Sequence, residues 1–220
     1  MPPDIKDSFK VGSKTVVVHD CDLRGDITIG SGTILQPRCT IVAAAGPIIF
    51  GSNNIVEETA VIVNRLKQPM IIGDNNLFEV GCRIESPSIG SDNTFGIRSR
   101  VSSAVSVASN CVVGAGCVVL PSPFASAKAK SGTAQEATGD DVSMASASAE
   151  PEAGPAASPQ SGTPPTPPHD TLADYTHVFG AENRRRTATT EGSGQAKALF
   201  VKHWEYLRET LPKYHKLKMF

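Results

Sequence analysis

The chain has 220 residues and a formal charge of -1, which suffices for one large globular unit or two small ones. Near-neutral charge gives no sign of a nucleic-acid partner, and direct membrane insertion is not expected. No stretch approaches the roughly 20 consecutive apolar residues of a membrane helix, since Thr40 to Phe50 is interrupted by Gly46-Pro47. The N-terminus, MPPDIKDSFK, lacks the apolar core of a secretory signal, so a cytoplasmic setting is expected.

Residues 1–10 read as a polar lead-in without periodicity. From Val11 onward an aliphatic or aromatic residue recurs every six positions: Val11, Val17, Leu23, Ile29, Leu35 and Ile41. After a short insertion the series resumes as Phe50, Val56 and Ile62, and after a second as Ile72, Phe78 and Ile84. One residue is then dropped, and it continues as Ile89, Phe95, Val101, Val107, Val113 and Val119. Neither a helical period of 3.6 nor a strand period of 2 produces this pattern, whereas a hexapeptide repeat in a parallel β-helix does. The expected fold is an all-β solenoid of hexapeptide repeats over residues 11–120, with about six to seven coils.

Two further registers support the repeat. The residue four after each apolar position should be small if it faces a narrow corner, and it reads Thr15, Cys21, Ile27, Thr33, Cys39, Ala45, Asn54, Ala60, Asn76, Cys82, Ser88, Asn93, Ser99, Val105, Cys111 and Cys117. All five cysteines fall there, so they read as small hydrophobes packed at corners. No paired Cys-x-x-Cys or Cys/His cluster exists, and no metal is expected. The residue after the apolar one on the first face is Gly12, Gly30, Gly51, Gly73, Gly90 and then Ala108. Stacked glycine suits a backbone that a Cβ would hinder, by close approach or by positive φ.

The two insertions, at 43–49 and 63–71, fall at turns and leave the stacked strands alone; such loops often carry contacts. Glu57, Glu58, Glu79 and Glu85 lie in successive coils and read as a solvated acidic strip that could receive a basic partner. After Val119 the composition turns to Pro, Ala, Ser, Thr and Gly, so 121–170 is expected to be a disordered low-complexity insertion. Residues 171–186 look like one more partial coil, ended by Arg184-Arg185-Arg186. A linker follows at 187–194, then an amphipathic helix over 195–218 with Phe200, Trp204, Leu207, Leu211 and Tyr214 on one stripe, which Pro212 should end or bend. Because one coil has no core of its own, both ends of the stack need covers.

Two enzyme classes use this kind of repeat, acyltransferases and γ-class carbonic anhydrases. The latter bind zinc through three histidines between subunits, but the repeat region holds only His19, and neither insertion contains the histidine base an acyltransferase places in a protruding loop. The run Leu23-Arg24-Gly25-Asp26 is shared with the anhydrases and reads more simply as a corner carrying an Arg-Asp pair. Arg184-Arg185-Arg186-Thr187 resembles a basic-directed kinase site, and Ser158-Pro159, Thr163-Pro164 and Thr166-Pro167 resemble proline-directed ones.

Several blocks carry a more specific resemblance. Leu23 to Gly30, Ala45 to Ile49, Asn54 to Glu58, Pro69 to Gly81 and the terminal Leu211-Pro212-Lys213-Tyr214-His215-Lys216-Leu217-Lys218 occur in order and resemble the dynactin subunit 6 family. The resemblance implies a left-handed β-helix followed by a C-terminal helix. It further implies a non-enzymatic subunit of the dynactin pointed-end complex, associated with the cytoskeleton and supporting dynein-dependent cargo transport along microtubules. The implied partners are dynactin subunit 5 and other pointed-end subunits, the pointed-end actin-related protein and, indirectly, dynein and cargo adaptors. No catalytic residue, cofactor or metal is implied, and a hexapeptide-repeat enzyme with a degenerate or intersubunit site is the alternative. Two departures stand out: the 63–71 loop is shorter than in animal relatives, and the 121–170 tract has the look of an insertion particular to a lineage. The candidate interface residues are Arg65, Leu66 and Lys67 on the second loop, Glu57 and Glu58 on the acidic strip, and Phe200, Trp204 and Leu207 on the helix.

Overall fold

The computed structural model describes residues 6–122, 170–188 and 193–220; the low-complexity tract, save for its end residues, lies outside them. Three parallel sheets wind into a left-handed β-helix. Face one stacks Ser8–Val11, Asp26–Ile29, Ile48–Phe50, Met70–Ile72, Ser88–Ile89, Val105–Val107 and Asp170–Leu172. Face two stacks Val16–Val17, Ile34–Leu35, Ile55–Val56, Leu77–Phe78, Thr94–Phe95, Val112–Val113 and Thr176–Phe179. Face three runs from Asp22–Arg24 through Thr40–Ala43, Val61–Asn64, Arg83–Ile84 and Arg100–Val101 to Val118–Val119.

The hexad apolar residues fill the bore. Each from Val17 to Val119 is buried, and only Val11, in the first coil, is half-buried. Phe78 and Phe95 stack on successive coils with centroids 5.0 Å apart. At one corner the small register is an asparagine ladder. Asn54 Oδ1 accepts from the Asn76 main-chain N–H and from Asn76 Nδ2, both at 3.0 Å, and Asn76 Oδ1 accepts in the same way from Asn93. Asn93 Oδ1 then accepts the Cys111 N–H at 2.7 Å. Each amide thereby satisfies a buried main-chain donor one coil away, which is why a polar residue tolerates the core there. The five cysteines are free and buried. Burial pushes the thiols of Cys82 and Cys111 up, and the adjacent Cys21 thiol together with burial pushes Cys39 up.

The glycine stack reflects close approach. A Cβ on Gly30 would lie 2.1 Å from Gly51 O, and one on Gly73 would lie 2.6 Å from Gly90 O, so the coils nest backbone to backbone at this edge.

The small register slips at two places. Ala45 is exposed, and Ile48 turns inward instead, paired between Ile27 and Met70. Ser88 is exposed beside Ile71; Ser86 is fully buried, its Oγ 2.7 Å from Val105 O and 2.8 Å from Ser88 O. Both slips sit where the six-residue count changes, so the inward position shifts with the inserted or dropped residue.

The ends differ from the sequence-based expectation in two respects. The C-terminal helix, α1, spans Ser193–Tyr214 rather than reaching 218, and Pro212 lies in its last turn. Beyond it the chain turns extended and lies against the first coil. Leu217 bridges Val18, the Lys218 N–H donates to Val17 O at 2.8 Å, and Phe220 meets Phe9 edge-on with centroids 5.7 Å apart. At the other end Arg184–Thr187 does not merely end the partial coil. It folds back as an antiparallel strand on Thr176–Phe179. Side chains from this hairpin close the adjacent face: Asn183 Oδ1 accepts the Val118 N–H at 2.6 Å and Arg185 Nη2 donates to Leu120 O at 2.7 Å. The open edges of both terminal coils are thus partly satisfied within the chain.

Candidate assembly surfaces

The three faces offer different chemistry to solvent. Face two is occupied over its first coils by α1. Leu207 and Leu211 are buried, Phe200 and Trp204 are half-buried against the core, and Trp204 Nε1 donates to Gly32 O at 2.6 Å. His203 Nε2 lies 3.1 Å from Glu57 Oε1, and Lys197 Nζ lies 3.1 Å from Asp92 Oδ2. Phe200, Trp204 and Leu207, nominated as interface residues, therefore face the chain's own solenoid. The side of α1 turned outward carries Leu199, Val201 and Tyr206, all exposed.

The glutamates are not one solvated strip. Glu57 accepts the Val80 N–H at 3.1 Å beneath His203; burial pushes its carboxyl up, opposed by that imidazole. Glu79 accepts the Ile97 N–H at 3.0 Å, and the Gln36 side-chain amide faces the Glu58 carboxylate, to which it donates once its O and N are interchanged. Glu85 sits between Arg83, at 2.6 Å, and Arg65, at 3.3 Å. Two of the four carboxylates accept corner N–H groups, which a charge-pattern reading cannot distinguish from a solvated row. Arg24 likewise pairs with Asp22 at 2.9 Å and not with Asp26 two residues later.

The two insertions meet. Asn64, buried at the end of its strand, donates through Nδ2 to Pro47 O at 3.0 Å and to Gln68 O at 2.8 Å, and its Oδ1 accepts the Leu66 N–H at 2.9 Å. A Cβ on Gly46 would lie 2.6 Å from both Leu66 O and Lys67 O. One asparagine thus fuses both loops into a ridge on which Arg65, Lys67, Gln68 and Pro69 are exposed and Leu66 is half-buried. Nothing in the hexad pattern distinguished Asn64; its only signal was an amide at the last position before an insertion. Beside the ridge, face one presents Ile49 and Ile71, neighbours in register and 39% and 55% exposed, within an outward column otherwise of Lys10, Thr28, Ser88, Ser106 and Thr171.

His19 is exposed in the first coil, where its N–H donates to Lys216 O; His177 lies at the other end, its imidazole pushed down by burial and by Arg186. Among the described residues no group of three or more His, Cys, Asp or Glu side chains could hold a metal ion. None of the helices among those residues is long and apolar enough to cross a membrane.

Coil geometry and repeat define a class: a hexapeptide-repeat left-handed β-helix closed by a C-terminal helix. A hexapeptide transferase family protein from Anaplasma phagocytophilum superposes with a TM-score of 0.64 at 12% identity, covering 92% of this chain and 93% of that one, a likeness of fold alone. No family model matches. Within the class, the sequence is similar to dynactin subunit 6 of several organisms. It is 39% identical over 124 residues to that protein of Danio rerio, covering 51% of this chain and 64% of the relative. Against that of Dictyostelium discoideum it is 44% identical over 109 residues, covering 49% and 58%. The matched stretch thus spans about three fifths of the relatives' length.

Proposed function

We propose that the chain is a non-enzymatic structural subunit of dynactin's pointed-end complex, where it supports dynein-dependent cargo binding and transport in the cytoplasm. The observation that carries this reading is the sequence similarity to dynactin subunit 6 from several organisms, at 37–44% identity over about half of the chain. The surfaces suit such a role. Face one is a flat column with a single charge and two exposed isoleucines, fit to pack against a neighbouring solenoid such as subunit 5. The fused loop ridge adds exposed Arg65 and Lys67, suited to an acidic partner. The acyltransferase alternative rests on fold likeness, and fold does not assign chemistry; the insertions offer no histidine to act as base.

The test is affinity isolation of the tagged full chain from gentle native extract, with sedimentation and mass spectrometry. Recovery in a very large particle containing actin-related protein and dynein components is expected. A small homotrimer lacking them would overturn the reading, and acyl-transfer and carbonate-dehydration assays on that trimer would then identify its chemistry.

A further inference from the structure

Arg184–Thr187 carries three arginines followed by threonine on a strand whose four residues are all exposed. Its pairing register fixes what it presents. Ala188 N–H donates to Tyr175 O at 2.8 Å, so residues 186 and 184 form the hydrogen-bonded pairs with 177 and 179, and the main-chain groups of Arg185 and Thr187 point to the open edge. An extended backbone with a free edge is the conformation in which a kinase cleft receives its substrate.

Side chains two residues apart share one side of a strand. Arg185 and Thr187 therefore lie together, and with Thr171, Leu172, Thr176 and Arg186 they line a depression at the end of the solenoid. The Arg186 side chain is directed away from it, its guanidinium 5.1 Å over the Phe179 ring. Arg185 at present spans Asp170 Oδ2, at 3.2 Å, and Leu120 O.

We propose that Thr187 is a phosphoacceptor for an ATP-dependent protein kinase that selects arginine two and three positions before its acceptor, and that Arg185 then binds the phosphate. In the transfer, Thr187 Oγ1 forms a bond to the γ-phosphorus as the bond to the β,γ-bridging oxygen breaks; the hydroxyl proton passes to the kinase's base and ADP leaves. The product places between one and a half and two negative charges, roughly, beside a guanidinium that can meet two phosphate oxygens at once. That dianion competes with Asp170 for Arg185 and so loosens Asp170–Leu172, the last strand of face one. Modification at one end of the hairpin is in this way read out on a different face. The inference is independent of the assembly reading, since it needs only the hairpin.

The experiment treats the purified full chain with ATP and the catalytic subunit of cyclic-AMP-dependent protein kinase, then maps phosphate by peptide mass spectrometry. Near-stoichiometric phosphate on Thr187 is expected, absent in Thr187→Val and at least tenfold slower in Arg184→Ala/Arg185→Ala. A folded chain that gains no phosphate, or gains it only elsewhere, overturns the acceptor assignment. Hydrogen exchange on the phosphorylated chain should quicken at residues 170–172; unchanged exchange there would overturn the role given to Arg185.

Discussion

Asn54, Asn76 and Asn93 show how a polar residue becomes part of the core. Asn76 donates to Asn54 Oδ1 and to Gly90 O, each at 3.0 Å, and accepts twice from Asn93. Replacing it with alanine strands the Asn93 N–H and Gly90 O in a dry corner, and at 1–3 kcal/mol per orphaned group Asn76→Ala should cost about 3 kcal/mol. Urea unfolding followed by circular dichroism reads this directly, and a loss below about 1 kcal/mol would mean the ladder is dispensable. Thr59 is the opposite case. It holds φ at 56°, costly for a β-branched side chain, while Gly81 takes the same corner one coil later at 67°. Relief of that strain should outweigh the extra chain entropy of glycine, so Thr59→Gly is expected to stabilise by about 1 kcal/mol in the same assay. The asparagines were legible in sequence as small corner residues because each lies four after the first apolar residue of an unbroken six-residue run, at 50–62, 72–84 or 89–119; Ala45 and Ser88 were misplaced because an insertion and a deletion move the count by residues that composition does not mark.

At the scale of elements, α1 was visible because Phe200, Trp204, Leu207 and Leu211 recur at helical spacing, but spacing does not say what a stripe packs against. The structure answers with the chain's own face two, and Leu207 becomes its test. Leu207→Asp would bury an unpaired carboxylate between helix and sheet, so the helix should leave the solenoid. Hydrogen exchange should then rise across 193–214 while the coils stay protected, and cooperative loss of the whole fold would show instead that the helix is integral to it. The C-terminal hairpin was not legible, because an antiparallel strand outside the bore has no inward residue to set a period. Its anchor is Asp170. Burial alone would raise this carboxyl, but the Ser122 N–H, the Arg185 guanidinium and the Thr171 N–H outweigh it and hold it below the usual carboxylate range. A depressed folded pKa gives stability that is complete above the unfolded value of about 4 and is lost as pH falls through the folded value. Exchange protection at 184–188 should therefore fall selectively below about pH 4, and Asp170→Asn should remove that acid dependence.

For the whole molecule, the ends are partly closed and face two is covered by the chain itself, so the proposed contacts to other proteins fall on the remaining surface, which includes face three, the face-one column with Lys10 as its single charge, and the ridge where the two insertions are joined by Asn64. The repeat could be read from sequence because a narrow bore restricts every sixth residue. The proposed assembly surface could not, because an outward side chain is under no such restriction, and only its neighbours in the folded chain show whether it is free. Arg65 is tied to Glu85, whereas Lys67 has no ion pair among the described residues. Lys67→Glu should accordingly leave thermal unfolding within about 0.5 kcal/mol of the parent, as surface changes usually do. If the ridge is the acidic partner's seat, the same change should lower recovery of the chain in the large particle several-fold in a sedimentation assay. Ile71→Glu tests face one in parallel, through a charge that a packed solenoid face could not accommodate. Loss with Ile71→Glu but not with Lys67→Glu would assign the contact to the sheet face, and full incorporation of both variants would remove this side of the solenoid from the interface.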